Sequence, residues 1–391
     1  MHLASTSTST PLDLAAFSTN LSAAVAQQNV AGFGGSTSYT KGVASGHTAS
    51  TDTDASTNVT AAAAAAEAST FTSSLTGDAV TAYTAASSSI GSDSSTLATS
   101  SIAVSRVDVS VDSVSSVVPA SGTTVVTTNL DIAHTLNNGV VWEDDTPYVS
   151  TVDNATGEIT AFVIEDDAFY DSTEDVDQTV DPSTLTTDQL NGTATTSTPT
   201  PTPTSTGKPA PAPTATAKPI GPTVVNATTS QLSSTQRAKV VSYAETYWKH
   251  YNSNYIPSQN DCTDFVSQAL YYGGWAKKTG WYQSDSVWWY DGITLLPKSY
   301  TWASAQHWYN FATSSGRTDI RSAIPYAQTG DILQYDVGPV GMNHSMIVTK
   351  VVNSMPYLTY HTGNHLNKPF SLVQKSVLAE DSTPDWYLHN T

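Results

Sequence analysis

From Thr195 to Pro222 the chain runs Thr-Pro-Thr-Pro-Thr-Pro and then Lys208-Pro-Ala-Pro-Ala-Pro. Proline has no backbone N–H and fixes φ, so this stretch can enter neither a helix interior nor a sheet. Its composition predicts an extended, polyproline-like spacer, and two separately folded units on either side of it. The charge divides at the same place. Residues 1–230 hold 23 Asp/Glu and 4 Lys/Arg, whereas residues 231–391 hold 11 of each. Trp142 is the one tryptophan before the spacer, and the remaining eight follow it.

Four segments are therefore expected: low-complexity, mostly disordered sequence over 1–54, an acidic α+β accessory domain over 55–190, a Pro/Thr/Ala-rich linker over 191–230, and a second α+β domain over 231–391. Within the first segment a short helix is expected around Leu12–Val25. In the accessory domain Ala61–Ala68 and Ala79–Ala86 read as helical. Near-alternating Val104–Val111, then Val125–Ile132, Tyr148–Val152 and Ile159–Ile164 read as antiparallel strands separated by turn residues. The acidic clusters Glu143–Asp145, Glu165–Asp167 and Asp171–Asp177 read as solvated faces, because none has calcium-loop spacing. An acidic chain without a basic stripe excludes nucleic-acid binding. No apolar run approaches the roughly 18 residues that span a bilayer. Met1-His2-Leu3 lacks the basic and apolar regions of a signal peptide.

The C-terminal segment opens with an amphipathic helix over Ser233–Tyr251, with Ser234 or Thr235 as N-cap. Asp261–Leu270 predicts a second helix, which Gly273-Gly274 can end. Strands are expected at Asp331–Tyr335, His344–Val352, Tyr357–His361 and near Trp386–Leu388. Helices before an antiparallel sheet make this domain α+β.

The chain has one cysteine, Cys262, at the start of that second helix. A lone thiol there cannot form an intrachain disulfide, and the helix dipole favours its thiolate. A thiolate attacking an acyl carbon needs a base, and His344 is the best placed. Asp261, read as the helix N-cap, opposes this, because its charge one residue away disfavours a thiolate. An imidazolium partner is needed as well as the helix end. Polar Asp261, Thr263 and Asp264 argue against burial of Cys262. The Cys262 N–H and the Tyr255 hydroxyl are candidate oxyanion donors, Tyr255 alternatively capping the core. His361 is the candidate that would orient His344, and Asn364 and His365 compete with it. A three-histidine zinc site of His344, His361 and His365 is disfavoured, because residues 362–364 read as a loop and the Glu of a zinc-hydrolase helix is missing. His365 reads as a surface loop residue.

Asp261-Cys262-Thr263-Asp264-Phe265-Val266-Ser267-Gln268-Ala269-Leu270 with Gly273-Gly274 resembles the putative amidase domain family. Asn252-x-Asn254-Tyr255, Gly330-Asp331-Ile332-Leu333, His344–Thr349 and Tyr360-His361-Thr362 agree in order, so the resemblance covers about 235–390. The family belongs to the NlpC-type and CHAP cell-wall hydrolases, which implies a papain-like fold. It further implies Cys262 as nucleophile, His344 as general base and a third polar residue on the next strand, where His361 stands. It usually carries Asn at the position of Asp264. Trp302, in Ser299-Tyr300-Thr301-Trp302, resembles its Ser-x-x-Trp pattern and is the aromatic expected in a substrate cleft. The implied activity is hydrolysis of peptidoglycan amide bonds by a secreted or cell-surface, monomeric, cofactor-free enzyme. A wall-binding protein on the same fold and an acyl transferase are the alternatives.

Overall fold

The computed structural model describes residues 12–43, 61–119, 122–165 and 231–391, apart from 257, 259, 293–295, 322 and 338–340. The chain divides into two compact units, Met1–Asp167 and Ala168–Thr391. Both combine helices with β-sheet. The expected linker 191–230 and the Asp171–Asp177 cluster lie outside the described residues.

In the first unit the elements are α1 (Leu14–Phe33), β1 (Ser36–Val43), α2 (Ala61–Ser74), α3 (Asp78–Thr99), β2 (Val104–Val117), β3 (Thr123–Leu136), β4 (Val141–Asp153) and β5 (Ile159–Ile164). Strands β2 to β5 pair antiparallel in sequence order, and β1 adds in parallel beside β2. The expectation of unstructured low complexity before residue 55 is thus corrected: α1 and β1 belong to this unit. Asp13 caps α1 by accepting from the backbone N–H of Ala15 and Ala16. The helix buries Phe17, Leu21 and Val25. Its polar residues pair internally, Gln28 Nε2 donating to Ser87 Oγ on α3 at 2.6 Å and Asn29 Nδ2 to Val25 O at 2.9 Å. A face of small and amide residues carries little hydrophobic period, so sequence pattern under-reads it.

Strict alternation along β3 and β4 buries every second residue. It places Asp144 inside, accepting from Trp142 Nε1 at 2.6 Å, so the Glu143–Asp145 cluster is not wholly a solvated face. His134 stacks on Trp142 at 3.9 Å and contacts Asn29 Oδ1 at 3.1 Å.

In the second unit the elements are α4 (Ser234–Tyr247), α5 (Cys262–Gly273), α6 (Tyr300–Ala303), α7 (Ala305–Ser314), β6 (Asp319–Arg321), β7 (Ile332–Asp336), β8 (Met342–Val352), β9 (Met355–Tyr360), β10 (Asn364–Pro369), α8 (Phe370–Glu380) and β11 (Asp385–Asn390). The N-cap of α4 is Ser233, not Ser234 or Thr235, because Gln236 lies where it can close a reciprocal capping box. The strands run β10-β9-β8-β7-β11-β6, every neighbouring pair antiparallel. One sheet face buries Ile332 and Ile347 against α4, α5 and an aromatic cluster of Trp275, Trp288, Trp302 and Trp308. The other buries Leu333, Met346, Val348 and Leu358 against Phe370, Val373 and Val377 of α8. Sequence reading placed no helix at α8 and no strand at β10, whose residues are buried on both sides of a short turn.

One buried carboxyl at the sheet margin ties α4 and β6 together. Arg237 reaches Asp331 at 2.5 Å, and Arg321 lies 3.3 Å from the same fully buried carboxyl. Burial pushes that carboxyl up, and the two guanidinium groups pull it back.

His389 on β11 is fully buried between Trp308 and Tyr309, 3.2 Å from Thr318 Oγ1. Burial lowers its pKa from 6.5 to about 3. The unfolded chain then binds the proton more readily, so stability present above pH 6.5 is lost as pH falls toward 3. Each unit in that window removes up to about 1.4 kcal/mol. Urea titrations at pH 7 and pH 4.5 should show the His389→Gln variant losing less stability on acidification than the parent. Parallel losses would assign the acid sensitivity to other groups.

Candidate active site

Helix α5 packs an apolar face inward, with Phe265, Val266, Ala269 and Leu270 fully buried. It ends where Gly274 takes φ 115°, a left-handed conformation that glycine adopts without strain. Its first turn is buried too. Asp261 is 4 % exposed, Cys262 3 %, Thr263 0 % and Asp264 2 %. The expectation that polar neighbours keep Cys262 at the surface is therefore corrected. A polar residue can be buried when its groups are paired, and three specific partners do this here.

The first partner corrects the reading of Asp261. It occupies the N-cap position, and its backbone oxygen accepts from Phe265 N at 2.8 Å, but its side chain caps no backbone N–H. Instead Asp261 Oδ2 lies 2.6 Å from Nδ1 of His361. The second partner joins helix to strand: Thr263 Oγ1 and Ser345 Oγ are 2.9 Å apart, and Gln334 Nε2 on β7 donates to Ser345 Oγ at 2.8 Å. The residue after Cys262 is thus bonded to the residue after His344. Sequence reading passed over this pair, although a hydroxyl follows both chemical residues. Cys262 Sγ itself lies 3.7 Å from Thr263 Oγ1.

His344 is buried, its ring 5.8 Å from Tyr335 and 5.1 Å from Tyr360. Strand alternation sets Ser345 toward α5 and His344 toward Tyr335 and Tyr360. Pairing of β7 with β8 runs Tyr335 to His344 and then Asp336 to Met342, so Asn343 is an extra residue. Such a bulge bends the strand and re-aims the adjacent side chain. It sits at the start of β8, beside the residues bonded to the helix N-terminus. Asn343 Oδ1 accepts from Val337 N at 2.8 Å, which fixes the bend.

His361 does not take the orienting role expected of it. Asn353 and Ser354 both adopt positive φ, so the β8–β9 turn has two residues and is tighter than expected. Continuing the pairing of Ile347 with Thr359 sets His361 beside Ser345, on the α5 side of the sheet. There Nδ1 meets Asp261, Nε2 lies 2.8 Å from Tyr247 O, and the ring stacks on Phe265 at 3.9 Å. Both nitrogens are engaged away from His344. Asn364 opens β10. His365 is a buried strand residue, not a surface loop residue, its ring 4.7 Å from Tyr360 and paired through the backbone with it.

Two further expectations fail through burial. Trp302 is fully buried among Tyr255, Tyr271, Trp288 and Tyr290, so it cannot touch a substrate. The exposed ring of that aromatic stretch is Trp281, at 45 %. Tyr255 belongs to the same core, 4.9 Å from Tyr290, and burial pushes its hydroxyl up. Tyr255 is a core-capping residue in this arrangement. Among the described residues no group of three His, Cys, Asp or Glu is placed to hold a metal ion, and no helix is long and apolar enough to cross a membrane.

Residues 234–380 match the putative amidase domain family. Two proteins of Bacillus subtilis (strain 168) are each similar to part of the chain. The uncharacterized protein YhbB is 29 % identical over 138 residues, covering 32 % of this chain and 41 % of that protein. The uncharacterized protein YjcM is 27 % identical over 175 residues, covering 40 % of this chain and 39 % of that protein. The chain thus spans about two fifths of the length of these curated relatives. No solved structure matches the chain significantly.

The third partner bears on Asp264, where the resembled family usually has Asn. Lys298 Nζ lies 2.7 Å from Asp264 Oδ2, and Ser258 Oγ donates to the same oxygen at 2.8 Å. Burial pushes the Asp264 carboxyl up, while Lys298 and Ser258 pull it down. A buried carboxylate in place of an amide therefore comes with its own cation. Removing one member of a buried pair costs about 3–5 kcal/mol, whereas replacing both with neutral groups can be nearly neutral. Lys298→Met should lower the denaturation midpoint strongly, and Asp264→Asn combined with Lys298→Met should recover most of the loss. Additive losses in that double-mutant cycle would show that the pair is not coupled.

Proposed function

We propose that residues 231–391 form a thiol-dependent amide hydrolase, with Cys262 as nucleophile and His344 as general base, acting on amide bonds of peptidoglycan or its stem peptides. One observation carries the reading: the Thr263–Ser345 hydrogen bond holds the start of the thiol helix against the start of the histidine strand. It lies inside a segment matching an amidase domain family.

The chemistry follows from the parts. The first N–H groups of a helix have no intrahelical acceptor, and together they favour negative charge. A thiolate at that position is stabilised before reaction, and the oxyanion of an attacked carbonyl is stabilised by the same N–H groups during it. His344 takes the thiol proton, and the acyl group passes to Cys262. The protonated imidazole then donates to the leaving amine. Water, deprotonated by His344, releases the acyl group.

We place the protein outside the cell or at its surface, because a wall-directed catalytic unit on a Pro/Thr tether suits reach through a polymer mesh. Cys262→Ala and His344→Ala, tested on purified cell walls, should each reduce solubilisation by roughly three orders of magnitude or more. Mass spectrometry of the released fragments would identify the bond by which fragment gains the elements of water. Undiminished solubilisation by Cys262→Ala would remove the nucleophile. Wall binding without product from any form would favour a binding protein, and amine incorporation in place of water would favour transfer.

A further inference from the structure

Resting on the reading of Cys262 as nucleophile, we propose that Asp261 and His361 act as one proton-sharing, charge-neutral pair that sets the acidity of the Cys262 thiol. His361 is then a positioning residue for charge, not the partner of His344.

The argument is one of hydrogen-bond accounting. Both ring nitrogens of His361 face oxygen: Nδ1 meets the Asp261 carboxyl at 2.6 Å and Nε2 meets the Tyr247 backbone carbonyl at 2.8 Å. A carbonyl oxygen can only accept, so Nε2 carries hydrogen. The Nδ1 contact then needs one further proton, either on the ring or on the carboxyl. In both arrangements the pair is neutral overall. Removing that proton would set a lone pair against an anionic oxygen in a site where Asp261 is 4 % and His361 1 % exposed. An unpaired charge that deep is strongly disfavoured.

The consequence falls on the next residue. A bare carboxylate at 261 would oppose a thiolate at 262, because a like charge that close raises an acid's pKa. The shared proton cancels it. On α5, Asp264 is balanced by Lys298. On α4, the Tyr243 hydroxyl feels Asp261 but is uncharged, its pKa raised well above the usual value, chiefly by burial. Tyr251 meets the His361 ring edge-on at 4.6 Å. On β8, Ser345 is neutral. The ring is fixed by its stack on Phe265, so the same imidazole joins the end of β9, the end of α4 and the start of α5.

The single cysteine makes the test specific. Rates of iodoacetamide alkylation are measured against pH for the full chain, His361→Gln, Asp261→Asn and the double variant, with circular dichroism as the folding check. The parent should show a thiol midpoint below the ordinary value near 8.5. His361→Gln keeps a donor to Asp261 but no proton to share, and should raise the midpoint by about one unit or more. Asp261→Asn should leave it within a few tenths of a unit, and the double variant should return toward the parent. A His361→Gln profile superimposed on the parent overturns the proposal, as does an ordinary midpoint in the parent. Should His361→Gln fail to fold, Asp261→Asn decides: a midpoint lowered by a full unit would mean an uncompensated charge in the parent. Alkylation needs no substrate, so this result stands apart from whether cell walls are cleaved.

Discussion

Burying the polar first turn of a helix is permitted only if each group in it is answered, and this requirement organises the second unit. Asp261, Thr263 and Asp264 are all removed from water, and each finds one partner from a different part of the chain. His361 comes from the end of β9, Ser345 from β8 and Lys298 from the segment before α6. Those three bonds fix where the start of α5 sits. Helix, sheet and aromatic segment are therefore assembled around Cys262 by polar contacts, whereas the apolar face of α5 supplies most of the burial energy. The hydrophobic term has no direction, and the hydrogen bonds provide the register.

Much of this architecture was legible from pattern. The α+β class, the helix beginning at Cys262 and the strands at His344 and Tyr357 follow from local periodicity, which depends only on near neighbours. The turns at Asn137–Gly139 and Asp153–Gly157 follow from residues that tolerate positive φ. What escaped is long-range. Asp261 reads as an N-cap from its neighbours, and only a histidine 100 residues away changes that role. His361 reads as the third member of a triad from chain order, yet a tighter turn and a register shift between Val348 and Lys350 set it beside Ser345 and take its nitrogens to other partners. Trp302 fits a family pattern, but pattern cannot report that four aromatic rings close over it.

The first unit teaches the same lesson with opposite chemistry. Helix α1 was under-read because its buried face is made partly of serine, alanine, glutamine and asparagine. Such a face is stable only where the amides and hydroxyls find partners, as Gln28 does on α3 and Asn29 within its own turn. Asp144 was assigned to a solvated face by its charged neighbours, although the period of the full strand that contains it places it inward. Of two conflicting cues, charge and period, the period governs direction. The Trp142 N–H then satisfies the carboxyl.

The placement of the two histidines on opposite faces near the start of the sheet has a physical logic. His344 occupies a face whose neighbours Tyr335 and Tyr360 are aromatic. His361 occupies the α5 face, where a carboxyl and a carbonyl hold it in a fully hydrogen-bonded state. A base must exchange a proton during reaction, and a group held by two acceptors within 2.8 Å is poorly suited to do so. A charge-balancing group must keep its proton, and contacts to two oxygens suit that task. Under the proposed function their environments divide the two tasks, although the residue type is the same. The carboxylate beside the thiol, which looks like an obstacle in the sequence, is then what holds the second proton in place.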